Sequence, residues 1–441
     1  MLGIWLNAAD TMVTATIMPS VARDLGGYAW FGWAVAVYLT GSILAGASAG
    51  QLSRRMGLRT AMAGSAAIYA AGCALSAWAP SIDLFLVGRA LQGIGSGWIV
   101  GFCYVAIGVV FPERLWALMF GAGAGVWGVA SLLGPLVGGL FAAAGHWRWA
   151  FWMFSVQGLL FAVACFPLLA AARDDRDPAR PLAWRTLGLL AVAILAVAAA
   201  DVVVSPAMAA VLAIVGLALL AIAGRVNARP SERLLPMDAA RPLTTVGAGY
   251  GMILAMSAAT AAFGVYGAAI LQSSYGLSPL FAGYVVTADA LGWTIAALLV
   301  SAQPDRRHDR FIRAGATVIV LGLVILAASI GGGRIGAVIV GAAMMGAGFG
   351  LAWSFLSQRI MALLGERDRA VGASAIPTTQ LIGGAVGAAA AGAVANILGL
   401  AHHFTPARAA AAAPLLFWAC VPVALLGWLA AMRLTRAVRP A

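Results

Sequence analysis

LFLVGRALQGIGSGWIVGFCYVAIGVV, residues 84–110, holds one charged side chain, Arg89, in a run of otherwise apolar and small residues. A bilayer core of about 30 Å needs about 20 apolar residues in a helix, so this stretch can cross a membrane. Similar blocks lie on either side of it. They fall near 2–21, 29–51, 60–79, 115–143 and 149–171, then 184–203 and 206–224. Six more follow near 244–273, 279–302, 312–330, 334–362, 371–399 and 412–435. The fold class expected is therefore an all-α polytopic membrane protein with 14 transmembrane helices. A β-barrel would show alternating segments of about ten residues, and none is present.

The composition agrees. Of 441 residues, 63% are hydrophobic and 10% charged, against about 45–50% and about 25% in soluble proteins. A soluble enzyme, a disordered tail and a disulfide-stapled secreted domain are excluded. The net charge of +12 comes from a chain whose 27 basic residues are all Arg. They sit in the short breaks between apolar blocks: 22 fall on one side of the expected membrane, four (Arg23, Arg148, Arg334, Arg408) on the other, and Arg89 lies within a span. Positive charge collects on the cytoplasmic side of membrane proteins. Both termini are thus expected inside, and nucleic acid is not needed to explain the charge. Trp5, Trp78, Trp147, Trp149 and Trp184 stand at span ends, as an aromatic belt would. The first span starts at Met1 without a basic leader, so a cleaved signal peptide is not expected.

The four cysteines, Cys73, Cys103, Cys165 and Cys420, fall inside apolar blocks and read as small buried hydrophobes. With four scattered His and no H-E-x-x-H or C-x-x-C, no metal or other cofactor is expected. A membrane enzyme would need clustered His, Cys, Ser or Asp at one membrane face, and a receptor a sizeable soluble domain. The sequence has neither, and it has no Walker A motif and no Lys for ATP-driven pumping.

Gly93-x-Gly95-x-Gly97 followed by Glu113-Arg114 recurs as Gly346-x-Gly348-x-Gly350 followed by Glu366-Arg367, and Gly134 and Gly139 recur as Gly387 and Gly392. All share one offset of 253 residues. Residues 1–171 and 244–441 are therefore expected to be two related six-helix bundles, with a two-helix insert and its flanking loops over 172–243. Related halves around a midplane site are the build of secondary transporters.

Five stretches resemble the major facilitator superfamily, most closely its fourteen-span drug:proton antiporter branch, and together they cover most of the chain. Arg89-Ala-Leu-Gln92-Gly93-Ile-Gly95-Ser-Gly97 is similar to R-x-x-Q-G-x-G-x-x. Arg89, Gln92 and Ser96 share a helix face, and a guanidinium at that depth requires a wet cavity or a partner. Gly134-Pro135-Leu-Val-Gly138-Gly139 is similar to the antiporter motif, with Ala130 at its first small position. Asp10-Thr-Met12-Val-Thr14-Ala-Thr-Ile-Met-Pro19 resembles D-x-T-I-V-x-T-A-x-P, and Asn7, Asp10 and Thr14 form a polar stripe. Gly50-Gln-Leu-Ser-Arg54-Arg55-Met-Gly57-Leu-Arg59 resembles the loop motif G-x-L-A-D-R-x-G-R-K. Arg54 stands there in place of an Asp that normally joins a cytoplasmic charge latch between the halves. Trp147-Arg-Trp149-Ala-Phe151 resembles the branch's W-R-W-x-F.

The second half matches less closely, through Gln380-Leu-Ile-Gly383-Gly384-Ala-Val-Gly387. Asp289 lies mid-span; the 253 offset pairs it with Ala36, so it reads as asymmetric. An intramembrane acid is a functional candidate by default. Trp127, Tyr266, Trp293 and Trp353, with Met344 and Met345, are candidates to line an adaptable apolar pocket. Asp201 reads as interfacial, at a span exit.

The resemblance implies a secondary active transporter of a bacterial inner membrane, with a small-molecule substrate, protons and the lipid bilayer as its partners, acting as a monomer. Proton-coupled efflux of amphipathic drug-like molecules is the leading expectation. Asp10, Arg89 and Asp289, with Gln92, Asn7 and Thr14, are then candidates for coupling and substrate contact. Proton-coupled import of a small metabolite uses the same fold and remains the alternative. The motif glycines, with Pro135, Arg55 and Arg59, are candidates for packing and gating.

Overall fold

The computed structural model describes residues 1–26, 30–170, 182–202, 205–229, 232–236, 238–300, 303–400 and 405–436. Among them run fourteen long helices. The first six are α1 (Leu2–Leu25), α2 (Phe31–Met56), α3 (Leu58–Trp78), α4 (Ile82–Val110), α5 (Trp116–Ala143) and α6 (Trp147–Leu168). Two follow, α7 (Trp184–Val202) and α8 (Pro206–Asn227). The last six are α9 (Thr245–Tyr275), α10 (Pro279–Val300), α11 (His308–Ser329), α12 (Ile335–Ala362), α13 (Glu366–Ile397) and α14 (Pro406–Arg436). Local chemistry sets several ends. Ser81 and Thr244 accept hydrogen bonds from Leu84 N and Gly247 N to cap α4 and α9. Gly26 and Gly276 end α1 and α9 at φ 67° and 64°, a left-handed turn open to glycine.

Twelve of these helices are long and apolar enough to cross a membrane. Of the remaining two, α1 carries Asn7 and Asp10, which lower its hydropathy, and α7 is apolar over its fully described residues, Trp184–Ala200.

The packing repeats between the halves. α4 lies on α2 and α3, α3 on α6, and α1 on α5; likewise α12 lies on α10 and α11, α11 on α14, and α9 on α13. Small residues let the backbones approach. A Cβ on Gly93 would run into the Tyr38 carbonyl and one on Gly97 into that of Ser42. Gly346 and Gly350 meet the carbonyls of Asp289 and Trp293 in the same way. This corrects the pairing of Asp289 with Ala36. Asp289 sits on Gly346 as Tyr38 sits on Gly93, because the residues that meet the repeated glycines on α2 and α10 are 251 positions apart rather than 253.

Between the halves, α2 packs on α13 and α5 on α10, again as a matched pair. α7 pairs with α8 and lies over the α2–α13 seam, where Ile43, Ala47, Leu190 and Ile194 form one buried cluster against Leu381 and Ile382. Gln51 of α2 holds the insert's flanking segments, accepting from Ala183 N at 3.3 Å and donating to the Arg233 carbonyl at 2.6 Å.

Trp78, Trp149 and Trp184 are exposed at helix ends, as a belt would be. Trp147 is not part of it. It is buried against Phe85 and Phe151, and its Nε1 donates to Asp24 at 3.2 Å. Cys73, Cys103 and Cys165 are buried and Cys420 is half-buried. Asp201 falls in the last turn of α7, and its side chain is outside the described residues.

Close backbone approach makes a sharp prediction. Gly346→Ala should lower stability by about 1–3 kcal/mol, the usual cost of overpacking. Gly384→Ala, where a Cβ has open space, should leave it unchanged. Thermal unfolding of the two purified variants in one detergent checks both.

Candidate functional site

A cavity of about 450 Å³ lies between the halves, walled by α1, α2, α4 and α5 on one side and α10, α12 and α13 on the other. On α4, Gly97, Val100, Tyr104 and Ile107 line it at three- and four-residue steps, continuing from Arg89. Met18, Ala34 and Val35 line it toward the end of the molecule with few arginines.

The arginine-rich end is shut. Tyr104 and Phe120, with rings 5.1 Å apart, come from the first half. Trp353 donates from the second half to the Tyr104 hydroxyl at 3.1 Å. Trp293 stacks on Phe349 at 4.8 Å and lies 5.6 Å from Trp353. Beyond this aromatic floor, Gly50 N donates to Ser374 Oγ at 3.0 Å, and Arg369 bonds Glu113 at 3.2 Å. Gly50 can approach α13 this closely because it has no Cβ, which would strike Val371.

Asp10 and Arg89 form a buried pair in the first half. Arg89 Nη1 is 3.5 Å from Asp10 Oδ2, and Thr14 donates to Asp10 Oδ1 at 3.0 Å. Arg89 also bonds the Gln92 side-chain oxygen, and Gln92 donates to Ser76 at 3.2 Å. The guanidinium lies 4.3 Å from the Tyr38 ring centre, a cation–π contact. Asn7 donates to Tyr38 at 3.1 Å and to Ser96 at 2.6 Å, and Tyr38 donates to Ser96 at 2.9 Å. Asn7, Asp10, Thr14, Arg89 and Gln92 are thus brought together, as their spacing suggests. They do not share one surface, however. Arg89, Asn7 and Thr14 reach the cavity wall, while Asp10 and Gln92 stand fully buried behind it.

Asp289 lines the opposite wall, and its Oδ1 is buried without a hydrogen-bond partner. Trp127, Trp293 and Trp353 line the cavity as expected. Tyr266 does not; it packs beside Leu398 against a separate cluster in the second half. Met345 is core, packed in that same cluster.

Sequence reasoning missed Tyr38, Tyr104, Phe120 and Thr294, which are cavity residues. Tyr104 could have been found by extending the Arg89 face down α4. Tyr38 required knowing which face of α2 meets Gly93. The loop-motif residues Gly57, Arg55 and Arg59 lie at the arginine-rich end. Gly57 has φ 81°, and Arg59 sits 5.9 Å from the Phe166 ring centre. Gly134 and Gly138 face Met12 and Thr16 of α1, whereas Gly139 faces open space; Pro135 lies inside α5.

A helical membrane protein with a largely apolar, aromatic-floored cavity between two matched bundles has the architecture of a carrier. The model of the Major Facilitator Superfamily matches residues 1–225, and the chain belongs to that superfamily. A probable multidrug-efflux transporter of Mycobacterium tuberculosis is 29% identical over 409 residues, covering 89% of this chain and 86% of the relative. A multidrug transporter protein of Bacillus subtilis is 27% identical over 188 residues, 43% of this chain and 34% of its own. Among solved structures, the human organic anion transporter MFSD10 has a TM-score of 0.71 at 16% identity, covering 98% of this chain and 97% of its own. A proton:xylose symporter has a TM-score of 0.69 at 16% identity, covering 97% and 92%. The family and these relatives are transporters, and this chain has their fold.

Breaking a buried ion pair leaves an uncompensated charge and costs about 3–5 kcal/mol, whereas replacing both partners costs far less. Arg89→Met should therefore destabilise the protein more than Asp10→Met combined with Arg89→Met. A double-mutant cycle of unfolding in mild detergent reads the difference directly.

Proposed function

We propose that this transporter exports amphipathic, drug-like molecules in exchange for protons by alternating access. The observation that carries the reading is a cavity whose two walls differ in chemistry. One holds the Asp10–Arg89 pair in its hydrogen-bonded cradle, and the other holds Asp289 beside Trp293 and Trp353. Multidrug efflux is named for the relative that matches along most of the chain.

In this reading residues 1–171 and 244–441 rock about the cavity, and the insert over 172–243 rides on the seam. The arginine-rich end is cytoplasmic, following charge placement, so the form described faces outward, in a bacterial inner membrane. Asp10 carries the proton. Because Arg89 stands between Asp10 and the cavity, competition between proton and ligand is relayed: protonating Asp10 frees the guanidinium to alter the wall a ligand meets. Gln92, Asn7 and Thr14 hold that relay in place. Asp289 and the tryptophans, Trp127 included, contact the substrate. One charge moving through 100 mV supplies about 2.3 kcal/mol, enough for a gradient of a few tens-fold, and the pH difference adds to it.

Everted membrane vesicles test direction and coupling together. Energised vesicles should accumulate an amphipathic dye, and collapsing the pH gradient should release it. Asp10→Asn should abolish the pH-driven component, by at least tenfold, when vesicles are matched for protein that elutes as the wild type does, and its thermal stability should fall because Arg89 loses its counter-charge. Full pH-driven accumulation in Asp10→Asn would remove Asp10 from the coupling, and dye loss on energisation would favour the import reading.

A further inference from the structure

The aromatic floor of the cavity is joined across the halves by a hydrogen bond, from Trp353 Nε1 on α12 to the hydroxyl of Tyr104 on α4 at 3.1 Å. Each ring is held by its own half. Tyr104 lies against Phe120 of α5. Trp353 lies against Trp293 of α10, whose carbonyl abuts Gly350 one turn before Trp353. Beyond the pair, Gly108 of α4 sits under the Met361 methyl of α12, so the seam is shut there. When this end opens, as alternating access requires, the two rings part with their helices and the bond breaks.

An indole N–H is a donor only. Trp353 is buried, and among the described residues Tyr104 is the acceptor for its Nε1. A buried donor left without an acceptor is costly, so the opened form must supply another. There the floor faces the cavity, and the new acceptor is water or an oxygen of a bound molecule. The packing repeat does not call for this bond. At the 253 offset Trp353 corresponds to Val100 and Tyr104 to Ser357. Val100 lines the same cavity and has no side-chain group to donate.

We propose that Trp353 and Tyr104 form an exchange pair that selects the transported molecule and releases it. While the arginine-rich end is open, Trp353 Nε1 donates to an acceptor oxygen of the ligand. As that end shuts, the Tyr104 hydroxyl takes the N–H back, and the ligand loses its bond in the form that faces the other way. The ligand class is a flat aromatic molecule bearing a carbonyl or ether oxygen. The rings of Trp293, Trp353 and Tyr104 give it apolar surface, and the indole edge gives it a donor. A site that bonds a polar group of its ligand discriminates against the analogue lacking that group. This assignment rests on the export reading's choice of the central cavity as the substrate path.

N-methylacridone and the N-methylacridinium cation share three fused rings, and only the first carries an acceptor oxygen. The ratio of their Kd values, from fluorescence titration of purified protein in a non-ionic detergent, reads the Trp353 bond and cancels losses of ring contact common to both. Tyr104→Phe keeps the ring beside Phe120 and removes the competing acceptor. It should tighten the acridone relative to the acridinium at least threefold, a gain that a merely structural role would not give. Trp353→Phe should weaken the acridone relative to the acridinium at least threefold, and adding Tyr104→Phe to it should move the ratio no further. A second arm needs no ligand. Nitroxide labels at Met56→Cys and Leu363→Cys, exposed on opposite halves, report opening of this end in a background without the native cysteines. Tyr104→Phe should raise the open population at least threefold, and should add nothing to Trp353→Phe. The proposal is overturned by a ratio or an open population that Tyr104→Phe leaves unmoved, or by an acridone that binds neither the wild type nor Tyr104→Phe. Both shifts in a protein that exports neither probe from cells would uphold the pair and overturn the export reading instead.

Discussion

Contact between helix backbones is the constraint on which the rest of the structure depends. A helix that presents Gly93 and Gly97 to the carbonyls of Tyr38 and Ser42 cannot shift by a turn without putting a side chain where only a hydrogen fits. The match of Gly346 and Gly350 with Asp289 and Trp293 fixes α12 on α10 in the same register. Lipid tails are as apolar as leucine, so tight packing of this kind, rather than the hydrophobic effect, drives association of membrane helices. It also sets the site. Tyr38 is placed to cover Arg89, and Asp289 and Trp293 to line the cavity, by the two contacts that hold their helices in place.

The halves then diverge in chemistry on a common frame. Gly134 packs on Met12 and Gly387 on Ala258, so Asp10 of α1 corresponds to Met256 of α9. At the 253 offset Arg89 corresponds to Ala342. Met256 and Ala342 are both buried. The second bundle therefore folds with an apolar pair at the place where the first holds an ion pair. Apolar replacement of a buried ion pair is often neutral or stabilising. The architecture alone does not call for Asp10 and Arg89, and their presence in one half only is more readily understood through what a charge pair can do beside a cavity.

Much of the fold was legible because its signals are local. Span length, arginine placement and the spacing of glycines and Glu-Arg pairs all survive without knowledge of neighbours. The polar cluster in the first half was legible for the same reason, since Asn7, Asp10 and Thr14 fall on one face of α1, and Arg89, Gln92 and Ser96 on one face of α4. What was not legible depended on how helices are turned relative to one another. Tyr266 and Trp293 are both aromatics in apolar spans, and only rotation about the helix axis sends one to a peripheral cluster and the other to the cavity. The counterpart of Asp289 was misread because one offset was applied to every helix. Loops and insertions change the count between neighbouring helices, while the spatial match is kept by packing. Trp147 looked like a belt residue by position, yet Asp24 offers its ring nitrogen a partner and Phe85 and Phe151 bury its face.

The burial of Asp10 behind Arg89 bears on how coupling can work at all. A carboxylate lining the cavity could be contested directly by a cationic ligand, and then exchange would require the ligand to carry positive charge. Here the cavity wall of the first half offers a guanidinium held by Asp10, Gln92 and the Tyr38 ring. Removing one of those three holds, by protonation, changes where the guanidinium rests without requiring the ligand to touch Asp10. A relay of that kind couples a proton to ligands of varied charge and shape, since what they meet is a change in the wall rather than a competitor for a single site. The aromatic floor of Tyr104, Phe120 and Trp353 offers apolar ring surface, and exposed ring faces attract cations. In the proposed exchange, broad selectivity and proton coupling would both follow from one feature, a titratable group buried behind the side chain that lines the cavity.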